Sequence, residues 1–86
     1  MKLTYHPKFK KQYAKLKPAQ KERFAKALAL FKVQPFHPSL YNHPQKAQWK
    51  GHRSIAFGGD WRAIYLPKGQ DEAFFVTVGT HSQLYK

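Results

Sequence analysis

The sequence predicts an α+β fold in which a small antiparallel sheet carries a two-helix hairpin on one face. Apolar side chains recur at helical spacing in the first half of the chain. The second half has short runs of aromatic and branched residues separated by Gly or Pro. With 86 residues, the chain is long enough for one modest core. We therefore expect a single domain over residues 1–86.

The first half predicts one strand and two helices. Lys2 to Tyr5 is the strand candidate. Pro7 suits the first turn of a helix, because that position needs no N–H partner. The apolar positions of this helix are Phe9, Tyr13 and Leu16. Pro18 ends it and starts a second helix, predicted over Ala19 to Val33. The apolar positions there are Phe24, Ala27, Leu28 and Phe31.

The second half predicts an ordered loop and three strands, which gives the order β-α-α-β-β-β. The loop covers Phe36 to Lys50 and contains two prolines. The predicted strands are His52–Phe57, Trp61–Leu66 and Ala73–Val78. Gly58-Gly59 is a hairpin signal because Gly adopts positive φ readily, and Pro67 to Asp71 forms a second turn. Gly79 is expected to end the last strand and leave a short tail.

The length of the loop at Gly58-Gly59 decides which side chains share a face of the sheet. A two-residue loop places Arg53, Asp60 and Arg62 on one face. The other face then carries the apolar set Trp61, Ala63 and Tyr65. A three-residue loop instead moves Arg62 across the sheet from Arg53. The two-residue loop is favoured here, because it keeps the charges away from the Trp and Tyr side chains.

The net charge of the chain limits the kinds of binding partner to be expected. Sixteen Lys and Arg against four Asp and Glu give a net charge of +12, which favours nucleic acid or an acidic protein over a membrane surface. No Cys is present, so disulfides and thiolate metal sites are excluded. The basic N-terminus has no apolar signal segment, and no run approaches the ~18 apolar residues of a membrane span. We expect a cytoplasmic protein that does not bind membranes.

Candidate catalytic groups are concentrated in the second half of the chain. His43, His52, His81 and the isolated carboxylate Asp60 lie among basic and aromatic residues there. Histidine both accepts and donates protons near neutral pH. Lys and Arg bind phosphates, and aromatic rings stack on bases. These are the groups needed to cleave RNA.

Several motifs resemble the RelE/ParE superfamily of bacterial toxins, and within it the YafQ-like branch. They are HPKFKKQYAKL, NHPQKAQWKGHRSI, GGDWRAIY and VGTHSQLYK, which cover nearly the whole chain in the family's order. The resemblance implies the fold derived above. It also implies an mRNA interferase of a type II toxin–antitoxin system, which cuts mRNA in the ribosomal A site, and an antitoxin that silences it.

The resemblance assigns roles by position. His43 matches the histidine of the branch's His-Pro loop, Asp60 the aspartate before the tryptophan, and His81 the histidine of the Gly-Thr-His motif. The phosphate-binding arginine matches Arg62, and an early strand cation matches Arg53. The terminal aromatic corresponds approximately to Tyr85. Two positions depart from the pattern: Ala56 stands where the branch often has a histidine, and His52 where many members have tyrosine.

These assignments predict a mechanism without metal or cofactor. His81 is the expected general acid, and His43 with Asp60 acts on the base side, Asp60 either as the base itself or by orienting a histidine. The expected phosphate ligands are Arg62, Arg53, Lys46 and Lys50. Tyr85 and Trp49 are candidate base contacts. Metal binding is not expected, because the histidines show no close ligand spacing.

Two other functions remain open on the same sequence. A ParE-like gyrase inhibitor would use this fold as a protein-binding poison without nuclease chemistry. A non-catalytic module could bind RNA through the basic surface alone. His43, Asp60 and His81 favour the nuclease, because neither alternative needs groups that transfer protons.

Overall fold

The computed structural model describes residues 1–85 and confirms the α+β class. In chain order its elements are β1 (Lys2–Tyr5), α1 (Pro7–Ala14), α2 (Pro18–Val33), β2 (His43–Pro44), β3 (Arg53–Ala56), β4 (Trp61–Lys68), β5 (Glu72–Thr80) and α3 (His81–Leu84). Two 3₁₀ turns, Pro38–Leu40 and Ala47–Trp49, flank β2. No helix within residues 1–85 is long and apolar enough to cross a membrane.

One sheet contains all five strands, in the order β1-β5-β4-β3-β2. The pairs β2–β3, β3–β4 and β4–β5 are antiparallel. β1 pairs with β5 in parallel, which differs from the antiparallel arrangement expected throughout. The reason is the route of the chain. The helical hairpin carries the chain across the sheet, away from β1. The antiparallel strands β3, β4 and β5 then bring it back, so that β5 lies beside β1 and runs in the same direction as β1. β2 falls within the segment predicted to be loop.

The two helices begin at the predicted prolines and cover one face of the sheet. The His6 side chain caps α1 by accepting a hydrogen bond from the Lys8 backbone N–H, at 3.0 Å. Phe75 on β5 lies at the centre of the core and is fully buried. Its ring lies 5.4–5.8 Å from those of Tyr5, Phe9, Phe24, Phe31 and Tyr65. The helical hairpin is therefore held to the sheet mainly by aromatic packing.

The hairpin between β3 and β4 has a three-residue loop, Gly58 to Asp60, so the preferred two-residue loop is wrong. Ala56 pairs with Arg62, and the Phe57 N–H donates to the Trp61 carbonyl at 3.1 Å. Gly58 and Gly59 both have positive φ, 121° and 52°, which Gly adopts at little cost. This register unites an apolar face against the helices, made of Ile55, Phe57, Ala63 and Tyr65. Burial of that whole face outweighs the grouping of the charges.

β5 continues beyond the expected end at Gly79. β1 pairs with β5 only as far as Phe75. Beyond that point the side chain of Gln12, on α1, hydrogen-bonds to β5 in place of β1. Gln12 Oε1 accepts from the Val78 N–H at 2.9 Å and from Thr77 Oγ1 at 3.1 Å. This side chain satisfies the strand edge that β1 leaves open, so β5 can extend to the residue before His81.

The short helix α3 was predicted only as a tail. A capping box starts it: Gln83 N donates to Thr80 Oγ1, and Thr80 N donates to Gln83 Oε1. The helix lies close against Gly79, where an added Cβ would stand 2.8 Å from Gln83 Oε1. The Thr-x-x-Gln pattern at 80–83 is a recognised helix start, and this signal would have found α3 from the sequence.

Candidate functional site

One cleft of about 450 Å³ brings together five predicted site residues. It lies on the face of the sheet opposite the helical hairpin. The nine residues that line it are Tyr41, His43, Pro44, Gln45, Lys46, Ala47, Arg62, His81 and Tyr85. We call it the histidine cleft. Among the described residues, its lining carries four groups that can be cationic and no carboxylate, so it suits an anionic ligand.

His43 is held in a defined orientation on β2. Its backbone pairs with Ser54 on β3, and its Nδ1 lies 2.8 Å from the Tyr41 carbonyl oxygen. A carbonyl oxygen only accepts, so Nδ1 must carry the proton of this bond. In the neutral imidazole, Nε2 then keeps the lone pair. His43 is thus arranged as a proton acceptor through Nε2.

Arg62 is fixed by the turn that precedes it. Its Nη1 donates to the carbonyl oxygens of Gly59 at 2.8 Å and Trp61 at 2.9 Å. The other guanidinium N–H groups make no hydrogen bond with residues 1–85. A half-buried guanidinium that is oriented by backbone and keeps donors available can bind a phosphate.

The rings of His81, the first residue of α3, and Tyr85, the residue that follows α3, are in contact. Their ring centroids are 4.5 Å apart at an interplanar angle of 42°. The Tyr85 hydroxyl donates to Gln45 Oε1, and Gln45 Nε2 donates to Ser54 Oγ at 3.0 Å. The His81 backbone N–H donates to the Asp60 carbonyl at 2.8 Å. These contacts tie an exposed imidazole to β3, to the segment after β2 and to the β3–β4 turn, which gives His81 a fixed position at the cleft.

Asp60 and Lys50 do not line the cleft. Asp60 is exposed at the tip of the β3–β4 turn. It contacts the site only through its backbone carbonyl, which accepts a hydrogen bond from the His81 N–H. Lys50 is exposed after the second 3₁₀ turn. Their predicted roles in base catalysis and phosphate binding remain predictions.

Arg53 lies on the opposite face of the sheet from Arg62, so the expected shared face of the two arginines is wrong. Its Nε donates to Asn42 Oδ1 at 2.8 Å, and its guanidinium stands 5.1 Å from the Phe36 ring. Asn42 also donates to the Tyr65 hydroxyl at 2.8 Å. Burial raises the pKa of Tyr65, partly offset by the contacts with Asn42 and Arg53. Arg53 therefore stabilises the helix-facing side of the sheet.

Trp49 and His52 also lie outside the histidine cleft. Trp49 Nε1 donates to the Leu84 carbonyl oxygen at 3.3 Å, and the His52 ring meets the indole nearly edge-on, with the centroids 5.5 Å apart. Trp49 thus anchors α3, and its role as a base contact remains a prediction. Ala56 pairs directly with Arg62, so the position where the YafQ-like branch often carries histidine is the one next to the arginine.

Four lining residues are not among the site residues expected from the sequence, namely Tyr41, Pro44, Gln45 and Ala47, and two of them make side-chain contacts within the site. Gln45 is nearly buried and links Tyr85 to Ser54. Tyr41 has positive φ, and its ring contacts that of His43 in a tilted arrangement, with centroids 4.5 Å apart. Neither position carries a local signal, because each depends on contacts with the folded β2 segment. No group of three His, Asp or Glu suited to a metal ion occurs within residues 1–85.

The comparison with protein families decides the family. Residues 1–86 match the family described as bacterial toxin of type II toxin–antitoxin system, YafQ. The chain belongs to the YafQ family. It is therefore a toxin of a type II toxin–antitoxin system, and the resemblance derived from the sequence motifs is confirmed. The comparison with curated proteins gives no significant match.

Solved structures of related toxins share the fold. A copper-bound mutant toxin from Helicobacter pylori is 26% identical, with 99% of each chain covered and a TM-score of 0.80. YafQ from E. coli strain BL21(DE3) is 24% identical, with 98% of this chain and 97% of that chain covered and a TM-score of 0.74. YafQ in the E. coli DinJ-YafQ toxin–antitoxin complex is 24% identical, with 98% and 96% covered and a TM-score of 0.76. At 24% identity the E. coli structures support the fold alone.

Proposed function

We propose that this YafQ-family toxin is an endoribonuclease that cuts mRNA in the ribosomal A site and so inhibits translation. The observation that carries the proposal is the meeting of His43, Arg62 and His81 in one cleft. Two proton-transfer groups beside a phosphate-binding guanidinium are what internal cleavage of RNA needs. RNA supplies its own nucleophile, so the absence of a Ser or Cys nucleophile from the cleft is no obstacle.

The reaction proceeds by attack of the 2′-hydroxyl on the adjacent phosphorus. The base side, His43 Nε2 assisted by Asp60 or Asp60 itself, takes the 2′-hydroxyl proton as the O2′–P bond forms. Arg62 and Lys46 stabilise the charge that develops on the phosphorane oxygens. His81 gives its proton to the 5′-oxygen as the P–O5′ bond breaks. The products are a 2′,3′-cyclic phosphate and a 5′-hydroxyl end, and each proton transfer contributes about 10²–10⁴-fold.

Dependence on the ribosome follows from how little of the site the protein supplies. Ala56 stands opposite Arg62 and cannot transfer a proton. His81 is exposed, and Asp60 lies outside the cleft. Ribosomal RNA that fixes the message against these groups would provide the missing orientation, an effect worth several kcal/mol. The net charge of +12 suits binding to such an RNA surface.

An acidic antitoxin is the expected protein partner. The E. coli relative has been solved as a DinJ-YafQ toxin–antitoxin complex. Complementary charge gives such a partner fast association and specificity for a toxin with a net charge of +12. It would cover the basic face of the helical hairpin or displace α3 with His81. Robust growth of cells that express this toxin alone at high level would count heavily against the proposal.

The deciding experiment adds the purified protein to a cell-free translation reaction and maps the 5′ ends of the mRNA. We expect cuts phased with codons on translated messages and negligible cleavage of the same RNA without ribosomes. Equal rates with and without ribosomes would reject ribosome dependence. A gyrase supercoiling assay run in parallel tests the ParE-like alternative, which predicts inhibited supercoiling and intact mRNA.

A further inference from the structure

A second and larger cleft, of about 800 Å³, lies between α1, α3 and the second 3₁₀ turn. It shares no lining residue with the histidine cleft. The side chains that define it are Lys8, Gln12, Lys15, Trp49, Trp61 and Gln83. We call it the tryptophan cleft, because both tryptophans of the protein line it. The proposed cleavage chemistry uses none of these six side chains.

The polar groups of the tryptophan cleft include two cations and several hydrogen-bond donors. Lys8, Gln12 and Lys15 are spaced i, i+4, i+7 along the chain, a spacing that places them on one side of α1. Gln12 Oε1 already accepts two hydrogen bonds from β5, and Gln83 Oε1 accepts one from the Thr80 N–H. Both amides therefore keep their NH₂ groups for a ligand. Within residues 1–85 no carboxylate lines this cleft.

Its apolar groups are two fixed indole rings. Trp49 uses its N–H on the Leu84 carbonyl oxygen, and the Trp61 ring packs against Phe57, with centroids 6.1 Å apart. Both side chains stay half-exposed. Indole faces beside donors and cations suit a ligand that is flat, rich in acceptors and anionic, as a nucleotide is. A peptide made only of Asp and Glu would satisfy the lysines but would leave the indole faces without a matching group.

We propose that the tryptophan cleft binds one unstacked nucleotide of single-stranded RNA. Its base lies against an indole face, and its phosphate is bound by Lys8 and Lys15. The inference deepens the proposed function, on which it rests for the presence of RNA. The helix α3 contributes to both clefts, with His81 in one and Gln83 in the other. RNA that passes over α3 would therefore contact both, whether it belongs to the message or to ribosomal RNA.

Intrinsic fluorescence tests the site directly, because every tryptophan of the protein reports from this cleft. The probe is hexaadenylate at low salt, and we expect saturable quenching. Lys8→Ala combined with Lys15→Ala should weaken its affinity about fivefold or more. The control pair, Lys17→Ala with Lys32→Ala, removes the same charge from exposed positions outside the cleft. It should change the affinity by less than about twofold.

Three results would overturn the proposal. The first is no quenching by hexaadenylate. The second is equal weakening in the two lysine pairs, which would make binding a matter of total charge. The third is equal quenching by inorganic polyphosphate or by an Asp/Glu-rich peptide, since neither carries a base. Each result applies to folded protein, because all four lysines are exposed and their loss disturbs no core contact.

Ribosome binding by the same variants separates the two sources of RNA. Loss of affinity of the Lys8/Lys15 variant for ribosomes without mRNA identifies ribosomal RNA as the ligand. If this variant loses affinity only for ribosomes loaded with mRNA, the ligand of the tryptophan cleft is the message. The outcome is independent of the cleavage proposal: quenching without any mRNA cleavage supports the nucleotide site and rejects the nuclease. Cleavage of mRNA without fluorescence quenching supports the nuclease and rejects the nucleotide site.

Discussion

At the scale of single residues, the histidine cleft combines fixed orientation with access to solvent. His81 is exposed, yet its ring contacts that of Tyr85, whose hydroxyl is bound to Gln45. His43 is oriented through Nδ1 by a carbonyl oxygen. A general acid must regain its proton after each turnover, so exposure of the imidazole is compatible with the proposed role.

His81→Gln should separate catalysis from binding. Glutamine keeps hydrogen-bonding capacity but cannot transfer a proton near pH 7. Cleavage in translation reactions should fall about 10²-fold or more, while ribosome affinity stays within a few-fold. Arg62→Ala should lower both, because it removes a phosphate contact as well as transition-state stabilisation. His6→Asn is the control, since it removes a histidine far along the chain and keeps an acceptor for the α1 cap.

If His81→Gln cleaves mRNA as fast as the parent and stays as toxic, His81 is not the general acid. His43 would then be the next residue to test. Rate measurements on one defined message, with 5′ ends mapped at each time point, distinguish these cases.

Ala56→His should raise cleavage. Position 56 pairs with Arg62, so an imidazole there would add a proton-transfer group beside the phosphate ligand. We expect a severalfold faster reaction, at the low end of the usual effect of such a group. Ala56→Gln is the matched control, since it has similar bulk without proton transfer. Equal rates in the two variants would show that acid-base groups at this position do not limit cleavage.

At the scale of elements, α3 is the part on which the site depends most. It supplies His81, positions Tyr85 directly after its last turn and is only four residues long, so its own hydrogen bonds cannot hold it in place. Its position comes from the capping box with Thr80, the Trp49 bond to Leu84 and close contact with Gly79. Disturbing any of these contacts should move the proposed general acid.

Gly79→Ala should destabilise α3. The new Cβ would stand 2.8 Å from Gln83 Oε1, which must then leave the Thr80 N–H. The expected loss is about 0.5–2 kcal/mol of unfolding free energy, the usual effect of losing a cap, together with slower cleavage. Urea unfolding and the translation assay measure the two effects.

Gln83→Ala supplies the double-mutant cycle for this clash. In its background, Gly79→Ala should cause little further loss, because the atom it meets is gone. Additive losses in unfolding free energy would place the clash elsewhere, for example at Leu84, whose Cδ2 lies 3.5 Å from the new Cβ.

At the scale of the whole molecule, the excess of positive charge is the feature that most affects binding. Sixteen basic residues against four acidic ones leave most cations without partners, and one of the two ion pairs within residues 1–85 joins exposed side chains on α2, Glu22 and Lys26. Such a surface attracts polyanions from a distance and binds them by releasing their counterions.

Ribosome binding should therefore weaken steeply with salt. We expect the apparent affinity to fall by more than about tenfold between 50 and 200 mM monovalent salt, because each phosphate contact contributes to the salt slope. Sedimentation with purified ribosomes measures it. A change smaller than tenfold would mean that the basic surface is not the binding surface.

Local patterns in the sequence predict the two helices, the net charge and most of the chemically reactive side chains of the histidine cleft. Pro7 and Pro18 start the helices, because their fixed φ suits the first turn. The histidine cleft is lined by five residues that the sequence identifies as site candidates, His43, Lys46, Arg62, His81 and Tyr85. Three features depend instead on packing across the whole fold: the parallel β1–β5 pair, the three-residue turn and the separation of Arg53 from Arg62. Strand register depends on burying a whole face at once, and no local pattern of residues records that balance.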